Sequence, residues 1–211
     1  MKKESQVIFD KNVIEFVTVA AEFCAFLERA ESMKRSTFVD TTLKILPLLY
    51  LKASMLPKCE MIGDESPETY VTEEIYEVLR INLASILVEK DDYLEVFLPD
   101  MAYSDEPIKK NISEDLADIY QDIKDFIFVF QLGLNETMND SLAICQENFG
   151  LLWGQKLVNT MRALHDVKYS PKARGEDEEE EEYEPENNED CHCEDDDCHC
   201  HDHGRLCHDD E

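Results

Sequence analysis

The residues of this chain best suited to chemistry are the cysteines and histidines at its carboxyl-terminal end. Five of the eight cysteines and five of the six histidines lie among the last 21 residues, together with many acids. Thiolate sulfur and imidazole nitrogen are good ligands for zinc, copper and nickel, so this segment predicts a transition-metal site. The segment contains a seven-residue unit twice and then a shortened copy: Cys191-His192-Cys193-Glu194-Asp195-Asp196-Asp197, Cys198-His199-Cys200-His201-Asp202-His203-Gly204 and Cys207-His208-Asp209-Asp210-Glu211.

The predicted metal ligands are the thiols and imidazoles of these copies. Two Cys-x-Cys pairs seven residues apart can supply four thiolates to one tetrahedral ion, with histidines as substitute ligands. The surrounding acids raise the local concentration of cations. Zinc is the expected metal, with copper or nickel as alternatives, and the candidate ligands are Cys191, His192, Cys193, Cys198, His199, Cys200, His201, His203, Cys207 and His208.

Two interpretations of this metal affinity stay open. Metal binding is either the task of the segment or an incidental property of a low-complexity tail. The segment lacks the apolar spacing residues and turn glycines of a folded zinc finger, so we expect adaptable coordination rather than one rigid site.

The end of the chain resembles the SEC-C zinc motif, in which a Cys-x-Cys pair precedes a terminal Cys-His or Cys-Cys pair. The resemblance implies that Cys198, Cys200, Cys207 and His208 are zinc ligands. This chain departs from the motif because six residues, rather than eight, separate the two pairs. The Gly-Ser-Gly of the motif is also absent between them.

The distribution of charge divides the chain of 211 residues into two parts. Residues 1–174 contain 30 acids and 19 bases, whereas residues 175–211 contain 19 acids and one base, for a total net charge of −29. A run of seven acids at 176–182 repels itself and buries little apolar surface. We therefore predict a globular domain over residues 1–168 and a disordered acidic tail over 169–211, with the metal-ligand repeats at 191–211.

The same charge distribution limits the possible partners and compartments. Clustered Lys and Arg hold nucleic-acid phosphates, and no such cluster is visible, so direct nucleic-acid binding is not expected. A basic protein is a more suitable partner. The first residues lack the apolar core of a signal peptide, and no apolar run reaches the roughly 20 residues that span a bilayer. We therefore expect a soluble cytoplasmic protein with reduced cysteines, in which Cys24 and Cys145 are small core residues.

Apolar residues at helical spacing predict the fold of residues 1–168. Val13 to Leu27 forms a first helix with its start near Asn12 or Ser5, and Thr37 to Leu56 forms a second that Pro47 kinks or breaks. A third helix runs from Thr72 to about Glu89, and residues 93–98 either extend it or form a short turn. A fourth follows Ser113 and stops at Gly133, and a last helix spans 142–164. The expected class is an all-α bundle of five helices, within a range of four to six.

The helices contain few candidates for catalysis. Asp118, Asp122 and Asp125 share one side of the fourth helix and are interpreted as a solvated face. No Glu-x-x-His pair for a di-iron site, phosphate-binding glycine loop or nucleophile motif is found. We therefore do not favour an enzyme, although a site assembled across helices stays open.

The last helix contains two glycines four residues apart, in the run from Phe149 to Leu157. Glycine destabilises a helix by about 1 kcal/mol relative to alanine, so a specific use is expected. Close helix packing around a buried tryptophan is the favoured interpretation. The alternative is a partner surface that includes Trp153, Arg162 and His165.

This run and the helical pattern before it resemble an uncharacterised helical family of Bacteroidetes, known only as a domain of unknown function. The resemblance covers about residues 7–168 and implies an all-helical fold without implying an activity. The leading hypothesis is a non-enzymatic interaction protein whose tail binds metal for delivery, buffering or metal-dependent docking. The alternative is a helical adaptor whose acidic tail is an electrostatic arm for a basic partner, with metal incidental.

Overall fold

The computed structural model describes residues 7–95 and 108–170. They form a helical bundle with one small antiparallel sheet. A π-helical turn, Phe149–Trp153, joins the last two helices without a break, so the predicted all-α bundle of five helical rods is confirmed. The elements are α1 (Lys11–Glu28), α2 (Arg35–Ser54), α3 (Glu73–Leu87), β1 (Asp92–Glu95), β2 (Ile108–Asn111), α4 (Ile112–Gln131), α5 (Asn135–Asn148) and α6 (Gly154–Tyr169).

The first two helices correct details of the sequence prediction. Helix α1 is capped by Asp10, whose carboxylate accepts a hydrogen bond of 2.8 Å from the Asn12 amide, so Asn12 is not the cap. Helix α2 continues through Pro47, and the predicted break is wrong. Leu46 and Leu49 are fully buried on either side of this exposed proline, and their packing holds the helix together where one backbone hydrogen bond is missing.

The predicted cap of α3 is confirmed, because the Thr72 hydroxyl accepts a hydrogen bond from the Ile75 amide. The prediction for residues 93–98 is wrong for 93–95, which belong to β1, and the rest lies outside the described residues. Asp92 pairs with Asn111 and Glu95 with Ile108 in the antiparallel sheet. Four-residue strands paired across a long connection leave no clear periodicity in the sequence.

Helix α4 begins two residues earlier than predicted, and its first turn is capped from another element. Ser113 lies inside the helix, and its amide and hydroxyl each donate a hydrogen bond of 2.7 Å to the buried carboxylate of Asp91. At the other end Gly133 has a φ of 75°, which confirms it as the residue that stops the helix.

The hydrophobic core surrounds α4, which packs against α1, α3, α5 and α6. Aromatic side chains join these helices: the ring of Phe16 lies 5.5 Å from that of Phe126 and 6.5 Å from that of Trp153, measured between centroids. Within residues 7–95 and 108–170, no helix is both long and apolar enough to cross a membrane.

The loop after α2 is held on α5 by buried polar side chains. The carboxylate of Asp140 accepts hydrogen bonds from the amides of Ile62 and Gly63, at 2.7 and 2.9 Å. Asn139 donates to the carbonyl of Glu60, and Gln146 accepts from the amide of Cys59. A Cβ on Gly63 would lie 2.7 Å from a carboxylate oxygen of Asp140, so glycine permits this close approach. The α2–α3 connection is therefore an ordered part of the fold.

Replacing Asp140 with alanine will lower the free energy of unfolding by about 2 kcal/mol, because two part-buried amides lose their buried acceptor. Asp166→Ala is the matched control, since Asp166 is exposed, and its effect will stay within about 0.5 kcal/mol. Urea denaturation, monitored by circular dichroism, measures the free energy of unfolding of both variants. Equal stabilities of the two variants would contradict this account of the loop.

Candidate functional site

The candidate metal ligands of the tail lie outside the described residues, as does the SEC-C-like ending, so both stay predictions. Within residues 7–95 and 108–170, no group of three or more His, Cys, Asp or Glu residues is placed to hold a metal ion. The zinc hypothesis therefore depends on the tail residues alone.

The three cysteines of the domain are free thiols with structural positions. Cys24 and Cys145 are buried in the core, as predicted. Burial raises the pKa of Cys24 to about 12 and that of Cys145 well above its usual value. Cys59 is half-buried, donates to the backbone carbonyl of Asn139, and also has a raised pKa because of burial. All three are protonated at neutral pH, so they are weak nucleophiles and weak metal ligands.

Trp153 is fully buried, which removes its side chain from any partner surface and favours the packing interpretation. Its indole N–H donates a hydrogen bond of 3.1 Å to the Cys145 carbonyl. The Phe149 ring lies 4.7 Å from it. Trp153 thus attaches the π-helical turn to the core.

The two glycines of this turn have different roles. A Cβ on Gly154 would lie 2.3 Å from the Phe149 carbonyl oxygen, which accepts the hydrogen bond from the Gly154 amide that closes the π turn. Only glycine fits there. A Cβ on Gly150 would meet nothing within 4 Å, so the exposed Gly150 lies beside open space.

The π turn was missed by the sequence analysis, although the spacing contains a signal for it. Cys145, Phe149, Trp153 and Leu157 lie four residues apart, and three such steps exceed three α-helical turns by about one residue. One inserted residue restores the inward direction of all four side chains. Single π turns of this kind often occur at functional sites.

The aspartates of α4 are not the solvated face that we expected. Asp125 accepts hydrogen bonds from the amides of Tyr70 and Val71, at 2.6 and 2.7 Å, and so holds the segment that precedes α3. Asp122 accepts from Asn148 of α5, and Asp118 accepts from Tyr76 of α3 and pairs with Lys156 of α6. These carboxylates therefore connect three elements to α4. Their positions were invisible in the sequence because their donors come from distant segments.

A cleft of about 410 Å³ lies above these aspartates and the π turn. Its apolar lining includes Phe126, Leu152 and Trp153, and its polar lining includes Asp118, Asp122, Asp125 and Lys156. Burial raises the pKa of Asp122, with a further contribution from the negative charges of Asp125 and Asp118, and burial also raises the pKa of Asp125. Half-buried carboxylates beside aromatic rings favour the binding of a ligand that carries a cationic group, such as an amine or guanidinium.

Arg162 and His165, the other two residues of the predicted partner surface, are exposed on α6. They lie on a ridge between two grooves. One groove, of about 620 Å³, is shared with β1 and contains the buried pair of Glu95 and Asn159, joined by a hydrogen bond of 2.9 Å. The other, of about 460 Å³, is shared with Leu43 of α2. A role of Arg162 and His165 in partner binding stays a prediction.

Comparisons with known proteins concern the helical domain. A family model described as a domain of unknown function, DUF5063, matches residues 7–170. The crystal structure of protein BF1032 from Bacteroides fragilis, a Northeast Structural Genomics Consortium target, is 92% identical, with a TM-score of 0.73. That match covers 80% of this chain and 99% of the other. No curated protein matches the chain. The resemblance to an uncharacterised helical family is confirmed.

Gly154→Ala will destabilise the protein by about 2 to 4 kcal/mol, because its methyl group overlaps a backbone oxygen in the core. Gly150→Ala is the matched control and will be neutral or stabilising by up to about 1 kcal/mol, since alanine favours helix and the added methyl meets open space. Thermal or urea unfolding measures the stability of both variants. A Gly154→Ala variant as stable as the native chain would show that no π turn forms here.

Asp115 of α4 makes folding depend on pH. Burial raises its pKa to about 6, against the opposing hydrogen bond from the Tyr93 hydroxyl. In the unfolded chain the pKa of an aspartate is about 3.9. Protonated Asp115 therefore makes its full contribution to the free energy of unfolding below about pH 4. About 2 to 3 kcal/mol of this free energy is lost as the pH rises through 6. Asp115→Asn will remove this loss, which urea denaturation between pH 4 and 7 measures. Exposed Asp166→Asn will keep the native pH profile, and an unchanged profile for Asp115→Asn would contradict the assignment.

Proposed function

Because this chain belongs to the DUF5063 family, whose function is unknown, we propose a function from the chain's own residues. It is a non-enzymatic cytoplasmic interaction protein whose carboxyl-terminal Cys/His/acid repeats bind zinc. The helical domain docks on a partner protein. The loaded tail delivers or buffers the metal, or makes docking depend on it.

The repeated Cys-His-Cys unit is the observation that carries this proposal. Five thiols and five imidazoles lie within 21 residues, whereas one tetrahedral zinc ion needs four ligands. The tail therefore has enough soft ligands for more than one ion. The 19 acids of residues 175–211 attract cations to the same segment.

The properties of the domain thiols support assigning metal uptake to the tail. Cys24 and Cys145 are buried with raised pKa values, and zinc binds the deprotonated thiolate. They compete poorly with tail thiols, whose ordinary pKa near 8.5 falls when a metal binds. Bound zinc in the intact protein thus reports on the tail.

The full chain, reduced and equilibrated with zinc, will retain at least one ion per molecule in native mass spectrometry. Replacing Cys191, Cys193, Cys198, Cys200 and Cys207 together with serine will strongly reduce this retention, because only imidazoles and carboxylates then remain as ligands. Cys59→Ser is the matched control, since it removes a thiol of the domain and leaves the tail intact. The metal proposal fails if the fivefold variant retains as much zinc as Cys59→Ser.

The alternative function is an acidic adaptor for a basic partner, with metal incidental. It is favoured by the tail charge and by the cleft lined with Asp118, Asp122 and Asp125, which is suited to a cationic side chain. A lysine-rich peptide titrated against the fivefold Cys→Ser variant tests it. Affinity that survives the substitutions and is lost at about 0.5 M salt, where the screening length is only a few ångström, favours charge over metal. Affinity that requires zinc and the tail cysteines favours the metal function.

A further inference from the structure

One side of the bundle has an apolar surface that no other described element covers. It consists of residues on α2 and on the rod formed by the π turn and α6, and we name it the α2–α6 face. Leu151 is 70% exposed and Leu51 is 51% exposed. Exposed apolar residues that form a contiguous patch often mark an interaction site. The exposed apolar members of the face are Pro47, Leu48, Leu51, Met55, Leu151 and Val158.

Contacts between α2 and α6 show how the two helices that carry these side chains are arranged. Asp40 of α2 pairs with Lys168 near one end, and the ring of Tyr50 lies 5.1 Å from that of Phe149 near the other. The two helices are therefore antiparallel neighbours. Leu43 and Val158 line a common groove between these contacts, so the apolar residues of both helices lie side by side.

The part of the face next to Phe149 is open to close approach. Gly150 is exposed, and a Cβ built on it would meet nothing within 4 Å. In contrast, the π turn requires glycine at position 154, because a Cβ there would overlap the Phe149 carbonyl oxygen. A glycine that is not needed for packing inside the domain, next to the most exposed leucine, leaves room for the backbone of another helix.

The two ends of the face carry opposite charges. Glu147 is exposed one turn before Leu151, and Arg162 is exposed one turn after Val158. Neither side chain forms an ion pair with another of the described residues, although the protein has many surface ion pairs. The face is thus an apolar strip with an acid at one end and a base at the other.

We propose that the α2–α6 face binds a second copy of this chain, with the two α6 helices antiparallel. A two-fold axis perpendicular to the helices places Glu147 of each copy next to Arg162 of the other. A two-fold axis parallel to the helices would instead keep Glu147 of each copy at the opposite end of the face from Arg162 of the other, so the two charges would not meet. Charge complementarity therefore selects the antiparallel dimer.

The size of the face is sufficient for this association. Helices of 20 residues are about 30 Å long, and two neighbours about 10 Å apart form a patch of roughly 600 Å². Two copies would bury roughly 1,200 Å², at the lower limit of stable interfaces, so a reversible dimer is expected. This inference concerns the domain and does not depend on metal binding by the tail.

Sedimentation velocity of the full chain in excess EDTA tests the dimer without metal bridging between tails. The native chain will show a concentration-dependent dimer, and Leu151→Glu will raise its dissociation constant at least about tenfold, because a charge enters the apolar interface. Ile81→Glu on α3 is the matched control, since Ile81 is 55% exposed on another surface, and it will leave dimerisation unchanged.

Charge exchange tests the antiparallel arrangement. Glu147→Arg and Arg162→Glu will each raise the dissociation constant several-fold, and the double variant will return to within about threefold of the native value. A native chain that stays monomeric at about 100 µM, or a dimer that tolerates Leu151→Glu, would overturn the proposal. Failure of the double exchange to restore association would overturn the antiparallel arrangement. Circular dichroism of each variant verifies that the helices are intact.

Discussion

The structure depends on carboxylates that face inward from α4 and from its neighbours. Asp118, Asp122 and Asp125 accept hydrogen bonds from α3, from α5 and from the segment before α3, while Asp91 caps α4 itself. Buried or half-buried carboxylates are unfavourable unless donors surround them, so these contacts constrain which elements can pack against α4. The apolar core supplies the driving force for folding, and this polar set determines the arrangement.

The same constraint explains what could be predicted from the sequence. Helices α1, α3 and α4 were visible because their apolar residues repeat at helical spacing, and Thr72 and Gly133 had the local chemistry of a cap and a stop. The aspartates of α4 were misinterpreted as solvent-exposed because their donors are distant in sequence. The sheet was missed because strand pairing is a non-local property, and the π turn because the spacing of Cys145, Phe149, Trp153 and Leu157 was interpreted as an ordinary α-helical repeat.

The candidate site was partly predictable. Arg162 and His165 are both exposed on α6, since residues three apart share a helix face, but this pattern cannot reveal whether Trp153 points outward or into the core. The candidate metal ligands of the tail were predicted from residue type and spacing alone. That prediction does not depend on the fold, because it is based on the ligand chemistry of thiols and imidazoles.

We propose two separate activities along one chain: association through an apolar helical face, and zinc coordination by the segment that follows Ser170. The central claim is that sulfur from the tail binds the metal. X-ray absorption at the zinc edge of the loaded full chain tests it most directly. The account predicts a first shell dominated by sulfur at about 2.3 Å, with histidine nitrogen at about 2.0 Å. A shell of oxygen and nitrogen alone, near 2.0 to 2.2 Å, would show that the carboxylates and imidazoles bind zinc without the cysteines and would contradict the claim.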